Sequence, residues 1–300
     1  MSTARTADLM SAVYAAGTAV GAFNVICLEH AEAIVTGAEA AHLPVILQVS
    51  ENTVAYHGGR LVPISRACLA LAETASVPVA IHLDHATGAD LCLRAIDLGY
   101  SSVMFDASTL PYPENVRATA ALTAHAHRLG AFVEAELGIV GGKGGTHAPG
   151  TRTDPGEAAA FVTATGVDSL AVAVGTSHAM VSRDALIDLD LIAHIRAALP
   201  VPIVMHGSSG VSDESLRDAV RAGMTKVNIA THLNKAMTQR VRQELADDPA
   251  LVDPRRYLGP ARDAIAGEVR RLLRILALVS PSDSSSRRPQ STPDKARTAS

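Results

Sequence analysis

The stretch that decides the fold is "PVAIHLDHAT" (78–87), with its sequel "GYSSVMFDAS" (99–108). Pro78, Val79, Ala80 and Ile81 form a short apolar, β-compatible run. His82, Asp84 and His85 then follow within four positions. "SSVMFDA" (101–107) repeats the plan, an apolar run ending in an aspartate. Ionisable groups at a strand end lose hydration unless they are paired, hydrogen-bonded or metal-bound. Working outward, the same kind of run recurs at "GAFNV" (21–25), "PVILQVS" (44–50), "AFVEAEL" (131–137), "SLAVAVG" (169–175), "PIVMHG" (202–207) and "KVNIAT" (226–231). Ala-rich amphipathic segments such as 114–130 and 212–224 separate most of them, with Gly130 and Gly223 where helix ends favour glycine. Alternating strand and helix implies a parallel sheet, and eight repeats predict a closed (β/α)8 barrel, an α/β TIM barrel. An open doubly wound sheet would show a Gly-rich dinucleotide loop after an early strand, and none is found.

The rest of the chain fits one barrel domain over 1–279. Residues 7–17 read as a short helix before the first strand, able to cover the barrel floor, and 232–246 and 259–279 as helices after the last. The tail 280–300 is rich in Ser, Pro and Arg and reads as disordered. Across 300 residues, 48% are hydrophobic but only 3% aromatic, so the core is built from Ala, Val, Leu and Ile. The net charge of −4 offers no clustered positive surface for nucleic acid. No apolar run reaches membrane-spanning length, and residues 1–20 lack a secretory pattern. Cys27, Cys68 and Cys92 are odd in number and lack CxxC spacing, so free thiols in a reducing cytoplasm are expected.

In such barrels chemistry sits at the C-terminal ends of the strands. Those ends carry Asn24, Ser50, Asp84 with His85, Asp106 with Ser108, Glu134 with Glu136, Ser177 with His178, His206, and Asn228 with Thr231. Three histidines on three strands match a catalytic zinc with three protein ligands and an open position. Strand parity puts His82 on the face of Asp84 but deeper, as a core partner rather than a ligand. Glu134 and Glu136 share a face, read either as hydrogen-bonded barrel groups or as an auxiliary cation position with Asp106. "HGSSG" (206–210) and "NIAT" (228–231) each close a strand and open a helix, where backbone N–H groups bind anions. The substrate is therefore expected to carry phosphate.

The ordered set "FNV", "IHLDH", "SVMFDAS", "VEAELG", "GTSH", "HGSSG", "KVNIAT" and "DPRRYL" resembles the class II, zinc-dependent ketose-bisphosphate aldolases, of fructose- and tagatose-bisphosphate type. The resemblance spans residues 7 to 275. It implies reversible cleavage of a ketose 1,6-bisphosphate to dihydroxyacetone phosphate and glyceraldehyde 3-phosphate, as in glycolysis and related carbohydrate metabolism. His85, His178 and His206 would hold Zn²⁺, and Asp84 would move the proton of the C4 hydroxyl. Asp106 and Glu136 match a second divalent position. Ala179, Gly207, Ser208 and Ser209, with Asn228, Ile229, Ala230 and Thr231, would surround the three-carbon phosphate, and a monovalent cation is a further possible ion. Asn24 and Ser50 match substrate-contacting positions, and Arg255 an arginine that grips the far phosphate. The family also implies a homodimer or homotetramer, and the cysteines with the missing secretory and membrane patterns imply a cytoplasmic one.

Three departures stand out. Gly144 occupies the place of an acidic residue in the Gly-rich loop 138–156, with His147 and Asp154 as candidate substitutes. Ala179 replaces a glycine. Ala230 follows the tagatose-type pattern, while His232 matches neither type. Competing readings are an aldolase on another phosphorylated ketose, a Schiff-base aldolase using Lys226, a metal-dependent hydrolase, and a zinc- and sugar-phosphate-binding paralogue without turnover.

Overall fold

A computed structural model describes residues 3–137, 152–176 and 187–279. Eight parallel strands close into one barrel in sequence order. They are β1 (Val20–Asn24), β2 (Val45–Ser50), β3 (Val79–Ala86), β4 (Ser102–Phe105), β5 (Phe132–Glu136), β6 (Ser169–Val172), β7 (Ile203–Met205) and β8 (Met224–Ile229). Helix α1 (Thr6–Ala16) precedes the barrel. α2 (Leu28–Ala41) joins β1 to β2, and α3 (Glu51–Tyr56) and α4 (Leu61–Thr74) join β2 to β3. α5 (Ala89–Asp97), α6 (Tyr112–Arg128), α7 (Pro155–Thr165), α8 (Leu189–Ala198) and α9 (Asp213–Ala222) follow β3 to β7 in turn. α10 (Thr231–Asp247) and α11 (Arg255–Leu276) follow β8.

All eight expected strands form, with boundaries shifted by a few residues. β8 starts at Met224, two residues before the expected start, which makes Lys226 its third residue. α11 starts at Arg255 rather than near 259 and runs through Pro260. The Asp253 carboxylate accepts from the Arg255 amide, the first of the helix, at 3.0 Å. The expected tail from 280 onward lies outside the described residues.

The barrel interior is layered by strand parity, since every second residue of a strand faces inward. At the floor, Leu9, Met10 and Val13 of α1 pack on Val20, Ala22, Ile46 and Ala80. Met104, Ala171 and Val204 form a small apolar plug of their own. Two residues further along the same faces the side chains turn polar: Asn24 after Ala22, Gln48 after Ile46, His82 and Asp84 after Ala80, His206 after Val204. The other faces of the strands pack with the helices in one continuous apolar layer. That layer is thin in places: a Cβ on Gly37 of α2 would lie 2.6 Å from the Ala266 carbonyl of α11. Glycine at 37 is what lets these two helices approach.

Candidate active site

Asp84 and His85 are neighbours, and a regular strand would send them to opposite faces. The β3–β4 register shifts between Leu83 and Ala86, and His85 adopts φ +50°, a left-handed conformation. This bulge turns both side chains toward the mouth. A non-glycine residue held there costs roughly 1–3 kcal/mol of strain, a cost characteristic of functional sites.

Asp84 is 4% exposed. The Asn24 amide donates to it at 3.0 Å and the Asn228 amide at 3.3 Å. Gln48 donates to the Asn24 oxygen at 2.8 Å, which fixes the amide's orientation toward Asp84. Burial alone would raise the Asp84 carboxyl, but the electrostatic influence of His85, His206 and Lys226, with the Asn24 hydrogen bond, outweighs it and holds the group below its usual range.

His85 Nε2 and His206 Nδ1 lie 2.9 Å apart. His85 Nδ1 rests on Asp106 at 2.9 Å, with Glu136 at 3.8 Å. His206 Nε2 rests on Glu134 at 3.1 Å. One ligand atom each from Asp84, His85 and His206 lies within a 4.8 Å cluster, and His85, Asp106 and Glu136 form a second such cluster. The donor set fits a transition metal of the zinc type, with imidazole nitrogens and a carboxylate. Two nitrogens on one tetrahedral zinc stand roughly 3.3 Å apart, close to the spacing of the facing nitrogens here. His178, the third expected ligand, lies outside the described residues, as do Ala179, Ser177, Gly144 and His147.

Asn24, Ser50, Asp84, His85, Ser209 and Asn228 line a cavity of about 430 Å³ at the strand ends. Gly207, Ser208, Ala230 and Thr231 line it too. Gly207 has φ +67°, which its lack of a Cβ permits. The Ser208 hydroxyl donates to the Asn228 carbonyl at 2.6 Å and ties the β7 and β8 loops together. The Ser209 Oγ and the Asn228 Oδ1 are buried with no hydrogen-bond partner among the described residues. Ser50 also caps α3 through Thr53. Ile229 is 1% exposed and belongs to the apolar layer rather than to the cavity wall. Arg255 is outside the cavity: its side chain is 88% exposed and pairs with Asp253 at 2.7 Å.

Of the two readings of Glu134, the structure takes that of a hydrogen-bonded barrel group: its second oxygen accepts from Lys226 Nζ at 2.7 Å, and both side chains are 1% exposed. Lys226 therefore offers no free amine at the cavity for a Schiff base. Asp154, a candidate loop acid, caps α7 by accepting from the Gly156 and Glu157 amides. His82 does lie deeper, as parity requires. Burial and the nearby Lys226 charge keep it neutral, and it contacts Ser102 at 2.8 Å and Lys226 at 3.4 Å. Sequence reasoning missed Gln48, Asn52, Thr53, Tyr56 and Ile26 of the cavity wall. It also missed Thr176, which donates to the His206 carbonyl at 2.7 Å. Only Gln48 carried a signal, a polar residue inside an apolar strand.

A family model described as fructose-bisphosphate aldolase class-II matches residues 4–279. The chain belongs to this family. Its members are carbon–carbon lyases, and this chain is a class II aldolase. A fructose-bisphosphate aldolase of Geobacillus stearothermophilus is 40% identical over 259 residues, covering 84% of this chain and 88% of the relative. One of Thermus caldophilus is 37% identical over 299 residues, covering 91% and 97%. Among solved structures, the YdjI aldolase of Escherichia coli K12 superposes with a TM-score of 0.80 at 31% identity, covering 91% of this chain and 97% of that one. No helix among the described residues is long and apolar enough to cross a membrane.

Proposed function

We propose that this aldolase reversibly cleaves a ketose 1,6-bisphosphate, of fructose or tagatose configuration, to dihydroxyacetone phosphate and glyceraldehyde 3-phosphate, with zinc as its metal. The observation that carries the reading is the buried cluster of Asp84, His85 and His206 under a cavity whose far wall offers unpartnered polar atoms. His85 and His206, with His178, would hold the ion. The chemistry a zinc ion supplies there is that of a Lewis acid, which draws off the negative charge left on the three-carbon fragment as the bond breaks.

The remaining work falls to the chain. Asp84, ionised and fixed by Asn24 and Asn228, takes the proton from the C4 hydroxyl in cleavage and returns it in synthesis. Ser209 Oγ and the backbone around Gly207, Ser208 and Asn228 to Thr231 bind the three-carbon phosphate. Asp106 and Glu136, held around His85, suit a second divalent ion, and a monovalent cation beside the phosphate loops belongs to the same reading. The named relatives favour the fructose configuration. Ala230, which lines the cavity, favours tagatose. We further propose a cytoplasmic homodimer or homotetramer.

The test is a coupled cleavage assay on fructose and tagatose 1,6-bisphosphates in parallel, with EDTA and with added Zn²⁺. Triose-phosphate release from one epimer that EDTA abolishes and Zn²⁺ restores is the expected result. Zinc-loaded protein silent on both refutes the substrate assignment, and activity indifferent to EDTA refutes the metal.

A further inference from the structure

The mechanism above leaves a buried ion pair unused, Glu134 with Lys226, in contact with His206. Around 1% of each side chain is exposed, and the two sit in contact at 2.7 Å. Lys226 also reaches His82 Nε2 at 3.4 Å, and His82 Nδ1 reaches Ser102 Oγ at 2.8 Å. Ser102 Oγ in turn lies 2.7 Å from Thr6 Oγ1 of α1. A polar column thus runs from the barrel floor to the underside of the site. Its top contact is Glu134 Oε1 on His206 Nε2.

Among the described residues, two groups compete for that Nε2. Glu134 Oε1 lies at 3.1 Å and can only accept, whereas the Asn228 amide nitrogen lies at 3.0 Å and can only donate. The choice decides where the imidazole carries its hydrogen. If Nε2–H donates to Glu134, Nδ1 keeps its lone pair toward His85 and the cavity. If Nε2 accepts from Asn228, the hydrogen moves to Nδ1 and blocks the nitrogen that faces His85. A carboxylate facing a lone pair is repulsive, and the Asn228 amide has Asp84 as its other acceptor. Glu134 therefore prevails.

We propose that Glu134, held in place by Lys226, is a positioning residue that fixes the His206 tautomer and so presents Nδ1 as a metal ligand. The inference rests on the metal-dependent reading of the site. Acidic partners of this kind commonly raise metal affinity by about 10–100-fold.

Two charge-balanced double variants isolate the effect. Glu134→Leu with Lys226→Met removes both charges and the acceptor, leaving Asn228 as the partner of Nε2. Glu134→Gln with Lys226→Met also removes both charges but keeps an oxygen that can accept from Nε2–H. Replacing a buried ion pair by side chains of similar volume is often tolerated. Zn²⁺ affinity is measured by competition with a chromogenic chelator, and the metal-free His206 tautomer by its ¹⁵N shifts. The expected result is a loss of about 10–100-fold in the Leu/Met protein, with its hydrogen moved to Nδ1, and near wild-type affinity in the Gln/Met protein. Equal affinity in all three proteins, or an equal loss in both doubles, overturns the proposal. If the Leu/Met protein does not fold, the Gln/Met protein decides alone: the Nε2–H tautomer with affinity kept supports the proposal, and any other result overturns it. Wild-type protein that binds no Zn²⁺ would instead sink the metal-dependent reading itself.

Discussion

Asp84→Asn separates catalysis from architecture. The change removes the charge and the proton acceptor while keeping the shape. In the folded protein the carboxylate takes an amide hydrogen from Asn24 at 3.0 Å and another from Asn228 at 3.3 Å. Asn24 cannot turn round, because Gln48 holds its oxygen at 2.8 Å. The new amide must therefore offer its oxygen to Asn24 and its NH₂ to Asn228. Asn228 can meet it by rotating its own amide, but its NH₂ then turns to the buried side where Oδ1 has no partner among the described residues. The structural cost is then about the 1–3 kcal/mol of a stranded buried donor. Loss of a general acid–base group lowers turnover by about 10²–10⁴, or about 3–5 kcal/mol of transition-state stabilisation. The assay is kcat for ketose-bisphosphate cleavage, with thermal unfolding of the same preparation. The expected outcome is a collapse in kcat with a melting temperature within a few degrees of wild type. A rate near wild type would move the base elsewhere, and parallel loss of rate and fold would show that Asp84 serves the architecture instead.

Two predictions concern the scaffold. Arg271 grips Glu268 with two hydrogen bonds of 2.7 and 2.8 Å, and His232 approaches it at 3.2 Å. Burial would raise the Glu268 carboxyl, but these partners outweigh it and bring it from 4.5 to about 2. A depressed carboxyl stabilises the fold above its unfolded value and loses that effect as pH falls through the folded one. With Arg271 partly exposed and screened, the contribution is about 1–2 kcal/mol. Glu268→Gln should therefore be less stable than wild type by about this much at pH 7 in urea unfolding, and the gap should shrink to less than half at pH 3; a gap constant with pH refutes the assignment. Gly37→Ala should cost about 1–3 kcal/mol through the clash with the Ala266 carbonyl at 2.6 Å. An unchanged unfolding midpoint would show that α2 and α11 can separate freely.

The barrel was legible because strands buried on both faces read as near-continuous apolar runs between helical patterns. The strand ends were legible for the complementary reason: polar residues closing such runs have few places to go. Register across the barrel was not. Glu134 and Glu136 share a face by parity, yet one meets Lys226 low in the barrel and the other lies beside His85 at the mouth. Parity assigns a face but not a partner three strands away. Lys226 was placed at the start of its strand because Met224 and Thr225 follow a glycine that closes α9. The bulge at His85 was hidden as well, since period-two alternation argues against two adjacent inward side chains. Gln48 was hidden by its neighbours, because an amide among Val, Ile and Leu reads as strand before it reads as site.

The low Asp84 carboxyl bears on its protonation state. It keeps the group a carboxylate at neutral pH, the form that takes the C4 hydroxyl proton in cleavage. The same group, once protonated, is the acid that returns that proton in synthesis, so one shift acts on both directions together. His85, His206 and Lys226 lower it together with the Asn24 hydrogen bond, in opposition to burial. Lys226 does not line the cavity and is paired with Glu134. It acts on Asp84 through its charge, while its contact with Glu134 orients His206. A single buried ion pair thus reaches both halves of the proposed chemistry, the proton and the metal, without lining the cavity in which they act.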